Sequence, residues 1–265
     1  MNKFDSIRPY KDDEVKSVLS NLCNDSNIVK AFISLNKTRA FNYLPFKHFL
    51  ITFYLKNKVK KVNSIKEYQD IFEAIVSDVV KTSINNFTVS GLENIHSDKS
   101  YLFISNHRDI TLDSALLNLT LHQNGFKTTN NAVGNNLLEE KWASDLMRLN
   151  KSFIIDRSDK SKKDIYKSLQ LASEFIFNSI INENNSIWIA QKQGRSKDGL
   201  DYTDPSVLKM IHLNSRKLSS IDDYFNKLSV VPVSISYEKD PNDILKAKEL
   251  YLTSLNNTYQ KEKNE

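Results

Sequence analysis

The spacing of apolar residues divides the chain into two parts that meet near residue 85. Before that point, apolar positions recur every three or four residues, which is typical of helices that bury one face. The period predicts helices that begin near Asp12, Ile28, Phe46 and Ser64. Glu67 follows Ser64 at the spacing of a capping box. The face of this last helix that we expect to be buried consists of Ile65, Tyr68, Ile71, Phe72, Ile75, Val76, Val79 and Val80.

After residue 85, short apolar runs alternate with helical patterns. The runs predict strands at 87–91, 101–104, 125–134, 152–155, 186–190 and 229–236. The segments between them predict helices at 111–123, 137–149 and 161–182, and a polar helix follows Pro241. Strands that alternate with helices indicate an α/β fold with a mostly parallel sheet flanked by helices. No linker separates the two parts, so we expect the N-terminal helical region, 1–85, to pack on the α/β region, 86–265.

Composition narrows the class of protein. The 265 residues are 40% hydrophobic, enough for a sizeable core, and carry a net charge of +5. A basic chain suits binding to nucleic acid, to an anionic membrane surface or to an anionic substrate.

The single cysteine, Cys23, can form no internal disulfide, which suits a reducing compartment. No apolar run approaches the roughly 20 residues that span a bilayer, and the first residues lack the core of a secretory signal. We therefore expect a cytoplasmic protein that can touch a membrane surface.

The most apolar segment, Phe46 to Val59, carries aromatic residues and runs into the lysine-rich segment 56–61. An aromatic stripe that ends in lysines suits a lipid interface. It equally suits a core helix whose lysines are solvated at its C-terminus, where the helix dipole favours cations. The second interpretation is the commoner one, and we prefer it.

The residues that carry chemistry follow the apolar run 101–104. Ser105 and Asn106 end that run, and His107, Asp109 and Asp113 come next. This order places an imidazole and two carboxylates at the carboxyl edge of an α/β sheet, where ligands usually bind. A carboxylate that accepts a hydrogen bond from one ring nitrogen fixes the tautomer, and the other nitrogen can then take a proton from a hydroxyl. We predict no metal site, because no further ligand set is visible and the surroundings are basic.

Asn106-His107 followed by Asp113 resembles the Asn-His-x4-Asp signature of the glycerol-phosphate and lysophosphatidate acyltransferase superfamily. Members of that superfamily transfer a fatty acyl group from a thioester to the hydroxyl of a lipid precursor. Five residues rather than four separate His107 from Asp113 here, so either the turn contains a bulge or Asp109 is the orienting carboxylate. We favour Asp113, because Leu112-Asp113 resembles the Leu-Asp that often ends the motif and Asp109 suits the helix N-cap.

Three further stretches extend the resemblance over roughly residues 87–236. Residues 153–157 resemble the second block, which implies that Arg157 binds the acceptor phosphate; a guanidinium matches phosphate oxygens, although a surface pair with Asp156 is the alternative. Residues 189–196 occupy the place of the third block, where Gln193 replaces a glutamate of the family and a proline and a threonine are absent. Its alternative is a basic surface turn. Residues 230–233 resemble the fourth block, a strand of the site wall, although a buried strand with an edge proline is the interpretation that we prefer.

The resemblance implies an O-acyltransferase of phospholipid synthesis. In that interpretation His107 deprotonates the acceptor hydroxyl and Asp113 orients the ring. The expected partners are acyl-CoA or acyl carrier protein as donor, lysophosphatidate or glycerol-3-phosphate as acceptor, and an anionic membrane surface, with no cofactor and no nucleic acid. The residues that we assign to substrate binding are Asn106, Arg108, Arg157, Gln193, Gly194 and Arg195.

The sequence is also compatible with two other functions. A thioesterase would use the same His/Asp pair to activate water, although the chain has no Gly-x-Ser-x-Gly elbow. A lipid- or nucleic-acid-binding protein with weak or lost catalysis is suggested by the basic segment 56–61 and by Gln193.

Overall fold

The computed structural model describes residues 2–35, 46–135, 140–157 and 161–255. Helices occupy the N-terminal part, as the spacing of apolar residues predicted. They are α1 (Asp12–Asn24), α2 (Ser26–Leu35), α3 (Lys47–Val59) and α4 (Ile65–Ser83). The capping box of α4 is confirmed: Ser64 Oγ accepts from the Glu67 N–H, and Glu67 Oε2 accepts from the Ser64 N–H, both at 3.2 Å.

Strands and helices alternate through the rest of the chain. The elements are β1 (Leu102–Ser105), α5 (Leu112–Gln123), β2 (Asn130–Gly134), α6 (Lys141–Leu149), β3 (Ser152–Ile155), α7 (Lys162–Ile181), β4 (Ile187–Ala190), α8 (Pro205–Ile211), α9 (Ile221–Lys227), β5 (Val230–Val233) and α10 (Asp243–Ser254). The described strands form one parallel sheet in the order β3-β2-β4-β1-β5, so the predicted α/β fold is confirmed. The start of the predicted helix 137–149 lies outside the described residues. Helices α8 and α9 were not predicted.

The register of the sheet aligns the ends of three strands. Ser105 at the end of β1 is level with Ala190 at the end of β4 on one side and with Val233 at the end of β5 on the other. Segments that leave parallel strands at the same level emerge at one edge of the sheet. The residues that follow β1, β4 and β5 therefore lie at the same edge of the sheet.

The predicted strand at 87–91 is wrong. No described residue of this stretch belongs to the sheet, and Phe87 and Val89 are 38% and 48% exposed. Gly91, at a φ of +89°, leads instead into a 3-10 turn over Leu92–Asn94. Alternation of apolar and polar residues produces a strand only where a neighbouring strand and a covering layer accept it.

The predicted burial of α4 and α3 is wrong for several residues of each helix. In α4, Val76 is buried, but Ile71, Ile75 and Val79 are 43%, 56% and 40% exposed. In α3, Ile51 is buried, but the aromatic residues of the helix are exposed. The preferred interpretation of this segment as a core helix is therefore wrong. A helical period identifies an apolar face, but neighbouring elements decide whether it is covered. None of the helices in the described ranges is long and apolar enough to cross a membrane.

The chain folds as two compact units. One consists of the described residues up to Phe87 together with Val133–Ser168, and the other of Thr88–Ala132 together with the residues from Leu169 onward. The core of the first unit contains Val15, Val18, Leu19, Leu22, Val62 and Leu149. The core of the second contains Ile95, Tyr101, Phe103, Leu121 and Trp188. The predicted division at 85/86 stays a prediction.

Arg8 contacts two carboxylates near the start of α1 in the first unit. Its guanidinium contacts both Glu14 oxygens, at 2.6 and 3.1 Å, and Asp5 Oδ1 at 2.8 Å. The hydrogen bond from Arg8 is the main cause that lowers the pKa of Glu14, with burial acting against it. A carboxylate whose pKa is lower in the folded state stabilises that state above its ordinary pKa and loses this contribution as the pH falls through the folded value.

We expect Glu14→Gln to lower the free energy of unfolding by about 1 kcal/mol at neutral pH, because the guanidinium loses a charged partner. The difference from wild type should shrink as the pH falls below the ordinary Glu value of 4.5. Urea unfolding at neutral and acidic pH measures it, with Asp13→Asn as an exposed control in the same helical turn. A penalty of the same size at both pH values would contradict this account.

Candidate active site

The turn between β1 and α5 folds around one buried carboxylate. Asp113 lies in the first turn of α5, where the helix dipole favours a negative charge, and its side chain is fully buried. From described residues it accepts four hydrogen bonds. Oδ2 accepts from His107 Nδ1 at 2.8 Å, from the Arg108 N–H at 2.7 Å and from the Asp109 N–H at 3.0 Å. Oδ1 accepts from the Tyr237 hydroxyl at 3.0 Å. The residue added to the motif is thus accommodated in a loop whose N–H groups point at the carboxylate.

The His107 ring lies between this carboxylate and Trp188. The side chain is 14% exposed, and its ring meets the edge of the Trp188 ring at a centroid distance of 6.0 Å. Trp188 Nε1 donates to Ser105 Oγ at 2.9 Å, which fixes the indole against the end of β1. An ionised carboxylate only accepts hydrogen bonds, so Nδ1 carries a proton, and in the neutral ring Nε2 keeps a lone pair.

Asp109 has a different task. Its Oδ1 accepts from the N–H groups of Thr111 and Leu112 at 2.9 and 2.8 Å, and its Oδ2 accepts from Asn242 Nδ2 at 2.9 Å. The helix N-cap is Thr111, so the expected cap position is wrong by two residues, although Asp109 satisfies N–H groups at the helix start. Of the two carboxylates that the sequence left open, Asp113 binds the ring.

Asn106 and Arg108 hold the turn to neighbouring segments. Asn106 exchanges two hydrogen bonds of 2.8 Å with the backbone of Ile235. Asp201 Oδ2 accepts from Asn106 Nδ2 at 3.2 Å and from an Arg108 guanidinium nitrogen at 2.6 Å. Asp201 was not predicted as a site residue. It neutralises the Arg108 charge beside His107.

Backbone hydrogen bonds bring the loop after β4 to the same turn. The Gln191 N–H donates to the Ser105 carbonyl, and the Ser196 N–H donates to the His107 carbonyl, both at 2.7 Å. Between them Gln193 and Gly194 are exposed and Arg195 is half-buried. Gly194 has a φ of +76°, a conformation that glycine adopts without strain. The residues expected from the third block therefore lie on a loop anchored at His107.

Comparison with known families decides the class of the protein. The Acyltransferase family model matches residues 86–236, more than half of the chain, and the matched range includes His107 and Asp113. The chain belongs to the Acyltransferase family. This is the glycerol-phosphate and lysophosphatidate acyltransferase domain, so the resemblance noted in the sequence is confirmed. No curated protein matches the chain. Family membership makes the protein an acyltransferase, with an acyl donor and a lipid acceptor in general.

Arg157, the remaining residue of the family pattern, belongs to the other compact unit. It lies two residues after the end of β3, and its backbone N–H donates to Asn135 Oδ1 at 3.1 Å. Its position after a strand agrees with the second block of the acyltransferase pattern. Its role in binding phosphate stays a prediction.

Sequence reasoning missed the residues that follow β5. Besides Tyr237 and Asn242, Lys246 of α10 contacts the turn: it is 5% exposed, donates from Nζ to the Arg108 carbonyl at 2.7 Å, and pairs with Asp240. Burial and the neighbouring Asp113 charge raise the pKa of Tyr237 above its usual value. A signal was present, because residues that leave a parallel strand emerge at the edge that carries the site.

The two carboxylates should differ in their effect on stability. Asp113→Ala removes the acceptor of two backbone N–H groups, an imidazole and a phenol, and we expect it to lower the free energy of unfolding by about 3 kcal/mol. Asp109→Ala removes helix-start contacts and should cost about 1 kcal/mol. Urea unfolding followed by circular dichroism measures both, with Asp198→Ala as an exposed control. Equal losses for Asp113→Ala and Asp109→Ala would contradict the arrangement described.

Proposed function

We propose that this acyltransferase moves a fatty acyl group from acyl-CoA or acyl carrier protein to the hydroxyl of lysophosphatidate or glycerol-3-phosphate, in phospholipid synthesis. The observation that carries the proposal is the 2.8 Å hydrogen bond between His107 Nδ1 and Asp113 Oδ2. It leaves Nε2 of an only slightly exposed ring as a proton acceptor at the edge where three strands end.

His107 acts as a general base. Nε2 takes the proton of the acceptor hydroxyl while the oxygen forms a bond to the thioester carbonyl carbon. The tetrahedral intermediate collapses with cleavage of the C–S bond, and the leaving thiolate takes the proton from the imidazolium. Asp113 stabilises the imidazolium between these steps. Base catalysis of this kind contributes on the order of 100- to 10,000-fold, and positioning of the two reactants supplies much of the rest.

The acceptor phosphate needs cationic partners. The loop after β4 carries Lys192, Arg195 and Lys197; Lys197 pairs with Glu249, and Arg195 is the guanidinium of this loop. A guanidinium matches phosphate oxygens with a rigid pair of donors. We assign Arg195 to the phosphate, and we assign Arg157 the same task from its motif and strand-end position. Gln193 can hydrogen-bond a hydroxyl, but it lacks the charge of the glutamate found in the family.

We also propose that the enzyme lies on the cytoplasmic side of an anionic membrane and contacts it through α3. Phe49 and Phe53 of α3 are 71% and 60% exposed, and Phe46 just before it is 84% exposed. Exposed lysines follow at the end of the helix, at positions 56, 58, 60 and 61. An aromatic face that continues into lysines suits the boundary between acyl chains and anionic headgroups. Contact of this kind would bring the enzyme to the layer in which a lipid acceptor resides.

The catalytic proposal predicts that His107→Ala lowers kcat for acyl transfer at least about 100-fold, because the acceptor hydroxyl loses its base. The assay presents labelled acyl-CoA or acylated carrier protein with a panel of hydroxyl acceptors and detects esters by mass spectrometry. His96→Ala, an exposed histidine of the same unit, is the control. Undiminished transfer by His107→Ala would refute the assignment. Release of free fatty acid independent of acceptor would favour a thioesterase, and binding to lipid or nucleic acid without transfer would favour a binding protein.

The membrane proposal predicts that the double variant Phe49→Ala/Phe53→Ala binds vesicles about 10- to 100-fold more weakly, because two aromatic side chains no longer enter the interface. Sedimentation with vesicles of mixed phosphatidylcholine and phosphatidylglycerol measures the partition coefficient. Binding of wild type should also weaken as salt screens the lysines. Leu218→Ala, which removes another exposed apolar side chain, is the control. Equal partition of the double variant and wild type would exclude α3 as the contact.

A further inference from the structure

The segment after β5 holds the catalytic turn at several points. Ile235 exchanges two backbone hydrogen bonds with the Asn106 side chain, Asn242 donates to Asp109, and Lys246 donates to the Arg108 carbonyl. The family match ends at residue 236, so Tyr237, Asn242 and Lys246 lie beyond it. The end of this chain therefore contributes to the turn through residues that the matched range does not contain.

Tyr237 is the member of this segment that reaches the carboxylate itself. Asp113 Oδ2 is anchored by the His107 ring and two backbone N–H groups, whereas Oδ1 accepts from the Tyr237 hydroxyl. A carboxylate held at one oxygen can still rotate about its Cβ–Cγ bond. A donor at the second oxygen fixes the plane of the carboxylate and, through it, the plane of the imidazole.

We infer that Tyr237 is a positioning residue of the acyltransferase site, the third member of a Tyr237–Asp113–His107 chain of hydrogen bonds. The inference rests on the proposed role of His107 as base. Tyr237 contacts the orienting carboxylate and acts on the reaction through it. Its hydroxyl also draws negative charge away from the oxygen that faces the imidazole.

The electrostatic surroundings keep Tyr237 a donor. Burial and the charge of Asp113 raise the pKa of the phenol, with smaller contributions from Asp109 and Asp240, so it stays protonated at any working pH. Two cations that contact the turn are paired with acids. Lys246 pairs with Asp240, and Arg108 pairs with Asp201. Because the phenol donates a hydrogen bond to Asp113, its loss exposes His107 to more of the Asp113 charge.

The test is Tyr237→Phe, which removes one hydroxyl and keeps the ring. We expect kcat to fall on the order of 10-fold, as for loss of a hydrogen bond to a charged group, with little change in KM for the donor. The acid limb of kcat/KM against pH should move to higher pH, because the imidazolium is held more strongly. Tyr251→Phe, on the exposed face of α10, is the control and should match wild type.

A second readout needs no turnover. In wild type, the proton between His107 Nδ1 and Asp113 should exchange slowly with water in proton NMR spectra, and in Tyr237→Phe its exchange should accelerate on the order of 10-fold. Exchange at the wild-type rate would overturn the inference. So would a wild-type kcat, or a lower kcat with an unmoved acid limb, which indicates a structural role alone. If His107→Ala retained activity, the proposed function would fail, while this exchange rate would still decide the role of Tyr237.

Discussion

The buried carboxylate of Asp113 is the interaction on which the site depends. Taking a carboxylate out of water is costly unless hydrogen bonds replace its hydration. Here two backbone N–H groups, an imidazole and a phenol do so. The same bonds that satisfy the charge shape the turn and fix the tautomer of His107. The stability of the turn and the orientation of the His107 ring therefore have one physical cause.

The parallel sheet makes this arrangement possible. Because β1, β4 and β5 end at the same level, the loop after β4 and the residues after β5 meet the turn after β1, although they are distant from it in sequence. Each is tied to the turn by hydrogen bonds from its own backbone or side chains. The family match covers the turn, the loop after β4 and the start of the segment after β5, and Tyr237 lies one residue beyond its end. The site thus combines residues inside the matched range with residues that follow it.

Features set by local chemistry could be predicted from the sequence, whereas features set by distant neighbours could not. The Ser64–Glu67 capping box and the position of His107 after β1 depend on residues close in sequence, and both are as predicted. The exposure of Ile75 in α4 and the missing strand at Val89 depend on which elements cover them, about which a period contains no information. Tyr237 required the register of β5 against β1 before it could be connected with Asp113.

The tautomer of the His107 ring in the wild-type protein tests the central claim most directly. Nitrogen NMR of ¹⁵N-labelled protein at neutral pH distinguishes the two ring nitrogens, and the His107→Ala spectrum assigns the signals. The account predicts a protonated Nδ1, bonded to Asp113, and an Nε2 that carries no proton. A ring with its proton on Nε2, or one that exchanges freely between the two tautomers, would contradict the role of Asp113 and with it the proposed base.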